Sequence, residues 1–504
     1  MLNGTDFKKV ASGGFGDSHN SFAWSMEWFK GRLYVGIIRD ILWLFRKMGN
    51  FSYLDPCPVP IPPLTEMDLR GQIWRYTPEA GTWEQVHISP LMTRSMWRAG
   101  VRARRASRSS PGGRFGKRWR RSNVNRRRAG VLLREALSLG YQWVKSGFKL
   151  NVARDLGYRT MVVHTDRHES EGLYVAAFGP GGSLLRTTDG ATFDVTIGAS
   201  LRPMVSFRGR LYASRVDGFF SQVPAVLESD VPTRGEMTLE MWRPVSAPGF
   251  GDPDNSSIFE MTVFKDHLYA GVANFKGFEI WKTDAKGGPP YQWKRVVTGG
   301  GHQDGPGPLS VVSMLPFGDW LYVGGGVFTG GLEMFEPTAG ELIRIAPDDT
   351  WEVVTGAARE THQGFKAPIS GMPALFGNQF GMYVWRMEEH QGWLYAGLHD
   401  VTTLLRYIPR NRVGPRATRW VEEHGGVERI VETEGGFDLW RTQEGRHWTC
   451  LTRTGFGNQF NAGVRTLKST PSGLFVGTTN FFTEAKDPVT GERRGGAEIW
   501  LGSR

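Results

Sequence analysis

The sequence predicts an all-β protein, a seven-bladed β-propeller, and three observations carry that prediction. A motif that runs from a Met to variants of Gly-x-Leu-Tyr-Val-Gly recurs seven times along the 504 residues. Apolar and polar residues alternate within each repeat, which is the pattern of short, half-buried strands. Gly is abundant, at 66 residues, and aromatic residues stand at fixed offsets, as in propeller blades. Internal repetition of this kind indicates a ring or a solenoid.

Each repeat is predicted to form four antiparallel strands. The first strand contains the Met and the second contains the Leu-Tyr pair, with a turn between them. The third strand often reads Glu-Ile-Trp, as at 279–281, and the fourth begins with an aromatic residue, as at Trp293. The positions that anchor the seven first strands are Met26, Met161, Met204, Met261, Met314, Met387 and Leu467.

The N-terminal residues are predicted to complete the last blade. Residues 464–504 contain only three strand patterns, whereas residues 7–14 resemble the fourth-strand segment 293–300. A strand from the N-terminus would therefore close the ring. Closure removes the exposed sheet edges that invite aggregation.

The chain is predicted to be one propeller domain, 1–504, with long insertions on one face. We call this the top face: it carries the links from second to third strands and from one blade to the next. Because loops on one face of a rigid scaffold commonly carry function, we expect the insertions to cap the channel there. The predicted insertions are 38–70, 91–153, 357–381, 399–436 and 479–496.

The second insertion holds a basic arm and a predicted helix. Residues 94–128 contain 13 Arg and one Lys but no Asp or Glu, so this segment carries a charge of +14. Because the net charge of the whole chain is +11, the remaining residues carry about −3. Such a segment is predicted to be disordered alone, and its interleaved aromatics would suit stacking on bases or a lipid surface. Residues 131–148 have the apolar spacing of an amphipathic helix, either lying across the top face or on a membrane surface. A solvated loop without a partner is the alternative for the arm.

Composition predicts a cytoplasmic protein without a cofactor. Cys57 and Cys450 are too few for a disulfide framework and are expected to be reduced thiols. We expect neither a signal peptide nor a bilayer-spanning apolar run, and peripheral membrane association through the arm is left open. Metal, nucleotide and nucleophile-elbow motifs are absent from the sequence.

A second phrase, Gly-Phe-Gly-Asp/Asn followed by Asn, precedes several blades. It occurs at 14–20, 249–255 and 455–461, with a shorter form at 377–380. We interpret it as structural, because Gly, Asn and Asp satisfy turn geometry. His19 departs from the phrase and is therefore a candidate functional residue.

Aligning the first strands on the Met places seven side chains at one level, two residues before it. Three of these are arginines from blades 2, 3 and 7, and guanidinium groups suit carboxylate, phosphate or sulfate. The alternative is that they pair with acids such as Asp155 or Glu260, or lie between blades. The seven residues are Trp24, Arg159, Arg202, Phe259, Val312, Trp385 and Arg465.

The candidate site combines this level with the top ends of the second strands. His399 is a candidate base beside Asp400, although adjacent strand residues point to opposite faces. The candidate catalytic residues are His19, Arg159, Arg202, Arg465, His399 and Asp400. The candidate substrate contacts are Trp24, Tyr158, Phe259, Trp385, Asn274 and Asn480.

Four resemblances bear on the fold and on the candidate site. Residues 187–193, Thr-Thr-Asp-Gly-Ala-Thr-Phe, resemble the Asp-box turn of sialidase-like propellers, which is structural in that family. The three arginines resemble a sialidase triad, but sialidases have six blades and their Tyr and Glu partners are not identified in this sequence. The whole chain, with its ending GFGNQFNAGVRTLKSTPSGLFVGTTN, is similar to poorly characterised bacterial seven-bladed propellers. It also resembles the propeller half of cyanobacterial resorcinol-alkylating enzymes, from which no catalytic residue is carried over.

Two functions follow as hypotheses. The first is a small-molecule-binding propeller, an enzyme of specialised metabolism that acts on an aromatic or amphipathic substrate at the capped channel mouth; transferase, lyase and hydrolase chemistry all remain open. The second is an interaction scaffold that docks to an anionic membrane surface or nucleic acid through 94–128. Convergence of the arginines and histidines on a cavity would favour the first.

Overall fold

The computed structural model describes residues 1–47, 51–98, 150–168, 170–198, 200–215, 224–230, 241–303, 307–326, 340–486 and 491–504. Within these residues, strand pairing produces seven antiparallel units of four strands each. The all-β propeller prediction is therefore confirmed.

Blades 1 to 3 follow the predicted repeat. Blade 1 contains β2 (Asn20–Phe29), β3 (Arg32–Arg39), β4 (Gln72–Thr77) and β5 (Thr82–Ile88). Blade 2 contains β6 (Gly157–Thr165), β7 (Glu171–Phe178), β8 (Ser183–Thr187) and β9 (Asp194–Ile197). Blade 3 contains β10 (Leu201–Phe207), β11 (Arg210–Arg215), β12 (Val226–Ser229) and β13 (Arg243–Pro244).

Blades 4 to 7 complete the ring. Blade 4 contains β14 (Asn255–Phe264), β15 (His267–Asn274), β16 (Glu279–Thr283) and β17 (Lys294–Val297). Blade 5 contains β18 (Ser310–Phe317), β19 (Trp320–Gly326), β20 (Glu341–Ile345) and β21 (Trp351–Thr355), followed by a hairpin of β22 (Arg359–Thr361) and β23 (Gly364–Lys366). Blade 6 contains β24 (Gly381–His390), β25 (Trp393–Asp400), β26 (Leu439–Thr442) and β27 (Thr449–Thr452). Blade 7 contains β28 (Asn461–Thr470), β29 (Gly473–Asn480), β30 (Ile499–Gly502) and β1 (Phe7–Ala11).

The N-terminal strand closes the ring, as predicted. β1 pairs antiparallel with β30, and Phe7 lies opposite Gly502. The first strands contact one another in blade order, and β28 of the last blade contacts β2 of the first. The outer strand of blade 7 thus comes from the opposite end of the chain, so closure ties the two termini together.

The recurrent Gly-Phe-Gly phrase holds the loop that leads into a first strand. In blade 4, Nδ2 of Asn255 donates to the Gly249 carbonyl and to Oε2 of Glu279, each at 2.9 Å. Phe250, which has a positive φ of 54°, stacks on Trp281 with ring centroids 5.0 Å apart. The structural interpretation is confirmed, because equivalent stacks recur elsewhere. They join Phe15 to Trp74 and Phe376 to Trp440, whereas Phe456 packs against Trp500 with the two rings tilted by 42°.

The insertions contain short α-helices, three of which lie entirely within the described residues. α1 (Ile41–Lys47) follows β3, while α2 (Pro415–Glu423) and α3 (Val427–Glu434) lie between β25 and β26. The sequence did not predict α2 and α3, since these short segments carry only a few buried apolar residues each. The predicted helix at 131–148 and most of the basic arm, 94–128, lie outside the described residues. Short 3-10 helices cover Gly4–Asp6, Leu64–Glu66, Pro248–Gly251, Gly299–Gly301, Ala374–Gly377, Thr402–Tyr407, Arg410–Arg412 and Gly455–Gly457.

The insertions pack together over one end of the channel. Apolar residues from the 38–70, 399–436 and 479–496 insertions share one buried cluster with Trp24 and Trp385 of the first strands. The five apolar residues of α1, 41–45, are all buried in this cluster. The assignment of the chain to a single domain stays a prediction. Among the described residues, no helix is both long enough and apolar enough to cross a bilayer.

Candidate functional site

A β-bulge occurs at the same level in every first strand. In blade 2, Tyr158 pairs with Ala177 and Thr160 pairs with Ala176, which leaves Arg159 without a partner residue. The other blades skip the aligned residue in the same way, and blade 3 skips Arg202 and the Pro that follows it. Because a bulge re-aims the side chain of the extra residue, this level forms a ring of side chains. We call it the channel ring: Trp24, Arg159, Arg202, Phe259, Val312, Trp385 and Arg465.

The channel ring has a cationic side and an apolar side. Arg465, Trp24, Arg159 and Arg202 come from the consecutive blades 7, 1, 2 and 3, whereas blades 4, 5 and 6 supply only apolar side chains. Six of the seven residues are buried, and Arg202 is half-buried. The three arginines that the sequence placed at one level therefore lie on the same side of the ring.

Each arginine of the ring lies over an aromatic side chain. Cation–π attraction of this kind holds a guanidinium group but uses none of its N–H donors. The distances from guanidinium carbon to ring centroid are 5.5 Å for Arg159 over Phe178, 4.4 Å for Arg202 over Phe259 and 5.1 Å for Arg465 over Trp385.

Two of these guanidinium groups have buried nitrogens without a hydrogen-bond partner. Within the described part of the chain, this holds for Nε, Nη1 and Nη2 of Arg159 and for Nε and Nη1 of Arg465. Their side chains are only 2% and 3% exposed. Buried polar groups are normally hydrogen-bonded, so these donors mark a place where an acceptor is expected.

The acids that the sequence offered as alternative partners pair with other arginines. Asp155 forms an ion pair of 2.7 Å with Arg154. Glu260 of blade 4 forms an ion pair of 2.7 Å with Arg386 of blade 6. Because blade 5 lies between those two blades, this pair reaches across the channel. Arg386 was not a predicted site residue, although it directly follows Trp385 and a scan of the neighbouring register would have found it.

The arginines influence one another electrostatically. Burial, together with Arg386, lowers the pKa of Arg202 to about 10, while Glu260 acts in the opposite direction. Burial lowers the pKa of Arg159 well below its usual value, and Arg202 lowers it further. Burial does the same to the pKa of Arg465, to which Arg386 and Arg202 contribute. Since arginine keeps its proton in proteins, the result is a concentrated positive charge rather than neutral side chains.

A second ring lies toward the hairpin end of the channel, the end opposite the top face. It consists of the residues that follow the aligned Met positions, and all of them are half-buried, so accessible surface increases from the channel ring toward this end. Lys468 forms an ion pair of 2.5 Å with Glu27. Burial raises the pKa of the neighbouring Glu388 to about 7. We call this the lower ring: Glu27, Val162, Val205, Thr262, Leu315, Glu388 and Lys468.

His19 belongs to a separate place on the top face. It lines a cavity of about 200 Å³ together with residues of the first and last insertions. Its Nδ1 lies 2.7 Å from Oδ1 of Asp40, and this hydrogen bond raises the pKa of His19. The structure therefore does not bring His19 together with the channel ring.

His399 and Asp400 do not act as a pair. Nδ1 of His399 lies 2.9 Å from Sδ of Met382, and burial lowers the pKa of His399 to about 3. Asp400 accepts hydrogen bonds from the backbone and hydroxyl of Thr402 and from Asn378. Adjacent strand residues point to opposite faces, so each has its own surroundings. Asp400 holds a turn, and His399 lies beside the ring residue Trp385 with ring centroids 4.5 Å apart.

Three predicted substrate contacts have structural roles. Tyr158 is fully buried in the cluster between blades 1 and 2, because it is a paired strand residue beside the bulge and so faces the neighbouring blade. Asn274 accepts a hydrogen bond from the Lys276 backbone and donates to the side chain of an asparagine of its own blade. Asn480 donates to a backbone carbonyl and accepts from the Phe482 backbone. Each asparagine thus fixes a turn.

The Asp-box segment also has a structural role. Asp189 accepts hydrogen bonds from the backbone N–H groups of Ala191 and Thr192, each at 2.8 Å. These bonds hold the pKa of Asp189 well below its usual range. The segment connects β8 and β9 at the hairpin end of blade 2, on the outer half of the blade.

Comparisons with known proteins do not identify a family. No protein-family model matches the chain, and no curated protein matches it in sequence. Among similar solved structures is the β-propeller domain of the Trilobed protease from Pyrococcus furiosus, with 6% identity, a TM-score of 0.39 and 96% of each chain covered. A GH74 enzyme from Niastella koreensis has 11% identity and a TM-score of 0.38 over 88% of this chain. The acylaminoacyl peptidase from Pyrococcus horikoshii has 8% identity and a TM-score of 0.36 over 92% of this chain.

The chain spans about half the length of the last two proteins, with 46% of the first and 50% of the second covered. Similarity at this level shows nothing about the activity of the present chain.

Proposed function

We propose that this propeller binds a small amphipathic organic anion at the channel ring. The anionic group contacts Arg159, Arg202 and Arg465, and the apolar part lies against Phe259 and Trp385. The observation that carries the proposal is the set of buried guanidinium nitrogens of Arg159 and Arg465 that have no hydrogen-bond partner within the described residues.

The energetic reason is that uncompensated buried charge is costly. Removing one ion from water into a protein interior costs several kcal/mol even after relaxation. Arg202 also lowers the pKa of both Arg159 and Arg465, which indicates repulsion between these guanidinium groups. A bound anion would satisfy the free N–H groups and offset the repulsion, since charge-assisted hydrogen bonds are about twice as strong as neutral ones.

An enzymatic role would draw on the lower ring. Glu388 has a pKa of about 7, so it can give or take a proton near neutral pH, as a general acid or base requires. One of its oxygens accepts a hydrogen bond of 3.1 Å from the Ser469 backbone, which orients the carboxyl group. We therefore propose an enzyme that binds an aromatic or amphipathic substrate at the channel ring and transfers a proton through Glu388.

Isothermal titration calorimetry tests the binding. The ligands share one ring and differ in charge: benzoate, phenyl phosphate, neutral benzyl alcohol and cationic benzylamine. We expect only the anions to bind, and we expect Arg465→Gln to weaken their binding by about 10- to 150-fold, the value of a hydrogen bond to a charged group. The matched control is Arg208→Gln, which removes the same charge from the exposed ion pair with Asp266 and should bind like the wild type.

Two results would contradict the proposal. One is the absence of binding by every anion of the set. The other is equal weakening by both variants, because that would indicate a loss of general positive charge rather than of a specific site.

A further inference from the structure

We infer that the anionic group at the channel ring is the dianion of a phosphate monoester, carried by a small soluble molecule with an aromatic or aliphatic body. This inference rests on the proposed function and specifies the ligand of that site. It follows from three properties of the ring: the number of free donors, the number of uncompensated charges and the enclosure of the site.

The first property is the number of donors. The Nε and two Nη atoms of a guanidinium group carry five N–H bonds, and all three nitrogens of Arg159 are without partners in the described structure. Nε and Nη1 of Arg465 add three more N–H bonds. One ionised carboxylate offers only about four acceptor sites, whereas a phosphate monoester has three strongly accepting terminal oxygens and an ester oxygen. Eight buried donors therefore match a phosphate better than a single carboxylate.

The second property is charge. Arg386 is neutralised by Glu260 through their ion pair across the channel. Asp155 is taken by Arg154. The three arginines of the ring keep their positive charges, and a monoanion such as a sulfate ester or a carboxylate would leave two of them uncompensated. A phosphate monoester carries nearly two negative charges at neutral pH.

The third property is enclosure. The channel ring shares its apolar cluster with the insertions of the top face, which cover it from that side. On the opposite side, the pair of Arg386 and Glu260 crosses the channel. An elongated polymer or a phosphate at a bilayer surface would not reach Arg159, which is 2% exposed. A phosphate on a small free molecule fits, and its apolar part would lie against Phe259, Val312 and Trp385.

The test compares phenyl phosphate, phenyl sulfate and benzoate by calorimetry between pH 5 and 8. Phenyl sulfate has the same tetrahedral shape as phenyl phosphate but a single charge at every pH in this range. We expect phenyl phosphate to bind at least about 10-fold tighter than phenyl sulfate at pH 8. We expect that advantage to shrink below about pH 6, where the phosphate takes up its second proton, while phenyl sulfate binding stays nearly constant.

Two variants show whether the preference for phosphate over sulfate depends on the channel ring. Phosphorus NMR of phenyl phosphate follows its binding to each of them. Arg159→Gln should remove the preference for phosphate over sulfate, and Arg208→Gln, outside the channel, should retain it. Vesicles that contain phosphatidic acid form a separate arm for a lipid source, and we expect no binding to them above that of the Arg159→Gln variant.

The outcomes distinguish the two proposals. If benzoate or phenyl sulfate binds as tightly as phenyl phosphate at pH 8, the phosphate inference is overturned while anion binding stands. If the wild type binds phosphatidic acid vesicles and the Arg159→Gln variant does not, the assignment to a soluble molecule is overturned. If no anion binds at any pH, the proposed function itself fails.

Discussion

Replacing Arg159 by Met should stabilise the protein in the absence of ligand, although it removes a binding residue. Arg159 is 2% exposed, and all three of its guanidinium nitrogens lack partners within the described structure. Met has similar length and no charge, and it can pack against Phe178 in the place of the guanidinium group. Replacing buried charged groups with apolar residues of similar volume has stabilised proteins by about 1–4 kcal/mol.

A matched variant in the same channel should show the opposite effect. Arg386→Met makes the same chemical change but removes the partner of Glu260, with which Arg386 forms an ion pair of 2.7 Å. Breaking a fully buried pair costs about 3–5 kcal/mol. Because Arg386 keeps 27% of its side-chain surface exposed, solvent screening reduces the expected loss to about 1–3 kcal/mol.

The assay is urea unfolding of the three proteins without ligand, followed by tryptophan fluorescence, with thermal unfolding as a second measurement. With an unfolding entropy of about 2.1 cal/mol/K per residue, each kcal/mol corresponds to about 1 °C in the Tm of a 504-residue chain. The reasoning is refuted if Arg159→Met lowers the free energy of unfolding as much as Arg386→Met does. That result would mean that Arg159 already has a stabilising partner in the folded protein.

Three further variants probe the blade loops, the top-face cavity and the lower ring. Phe376→Ala should lower the free energy of unfolding by about 3–5 kcal/mol, measured by urea unfolding, since Phe376 is 2% exposed and stacks on Trp440 at 4.8 Å. Asp40→Asn should lower the pKa of His19, followed by NMR titration, because the hydrogen bond that His19 donates to Asp40 is the largest cause of its raised value. Glu388→Gln should raise the Tm relative to the wild type at pH 8 but not at pH 4. Burial raises the folded-state pKa of Glu388 to about 7, so the stabilisation that the neutral form provides is complete below the unfolded pKa and is lost as the pH rises through 7.

Each of these predictions has a control and a contrary outcome. Phe275→Ala changes the same residue type at a site that is 55% exposed and should be nearly neutral; a similar loss in both variants would contradict the stacking argument. An unchanged His19 titration in Asp40→Asn would show that Asp17 or another charge governs it. A Tm difference for Glu388→Gln that does not vary between pH 4 and 8 would place the ionisation of Glu388 outside this range.

Much of the architecture could be predicted because it is encoded locally. The alternation around each Met and Leu-Tyr pair specifies two adjacent strands, and the resemblance of residues 7–14 to 293–300 predicted the closing strand that pairs with β30. The level of the channel ring was also found from sequence, because repetition provides an internal alignment. Helices α2 and α3 were not predicted, since they depend on burial against other insertions rather than on a long periodic pattern.

For the functional residues too, some properties follow from the sequence and others only from the tertiary structure. By itself, the sequence determined which residue types stand two positions before each Met, and therefore that three arginines share a level. Only the tertiary structure decided that a bulge aims them into the channel, that Asp155 and Glu260 pair elsewhere, and that His19 joins Asp40 instead of the ring. Strand periodicity is a property of neighbouring residues along the chain. The pairing of Glu260 with Arg386, in contrast, joins residues of two non-adjacent blades and exists only once the ring has closed.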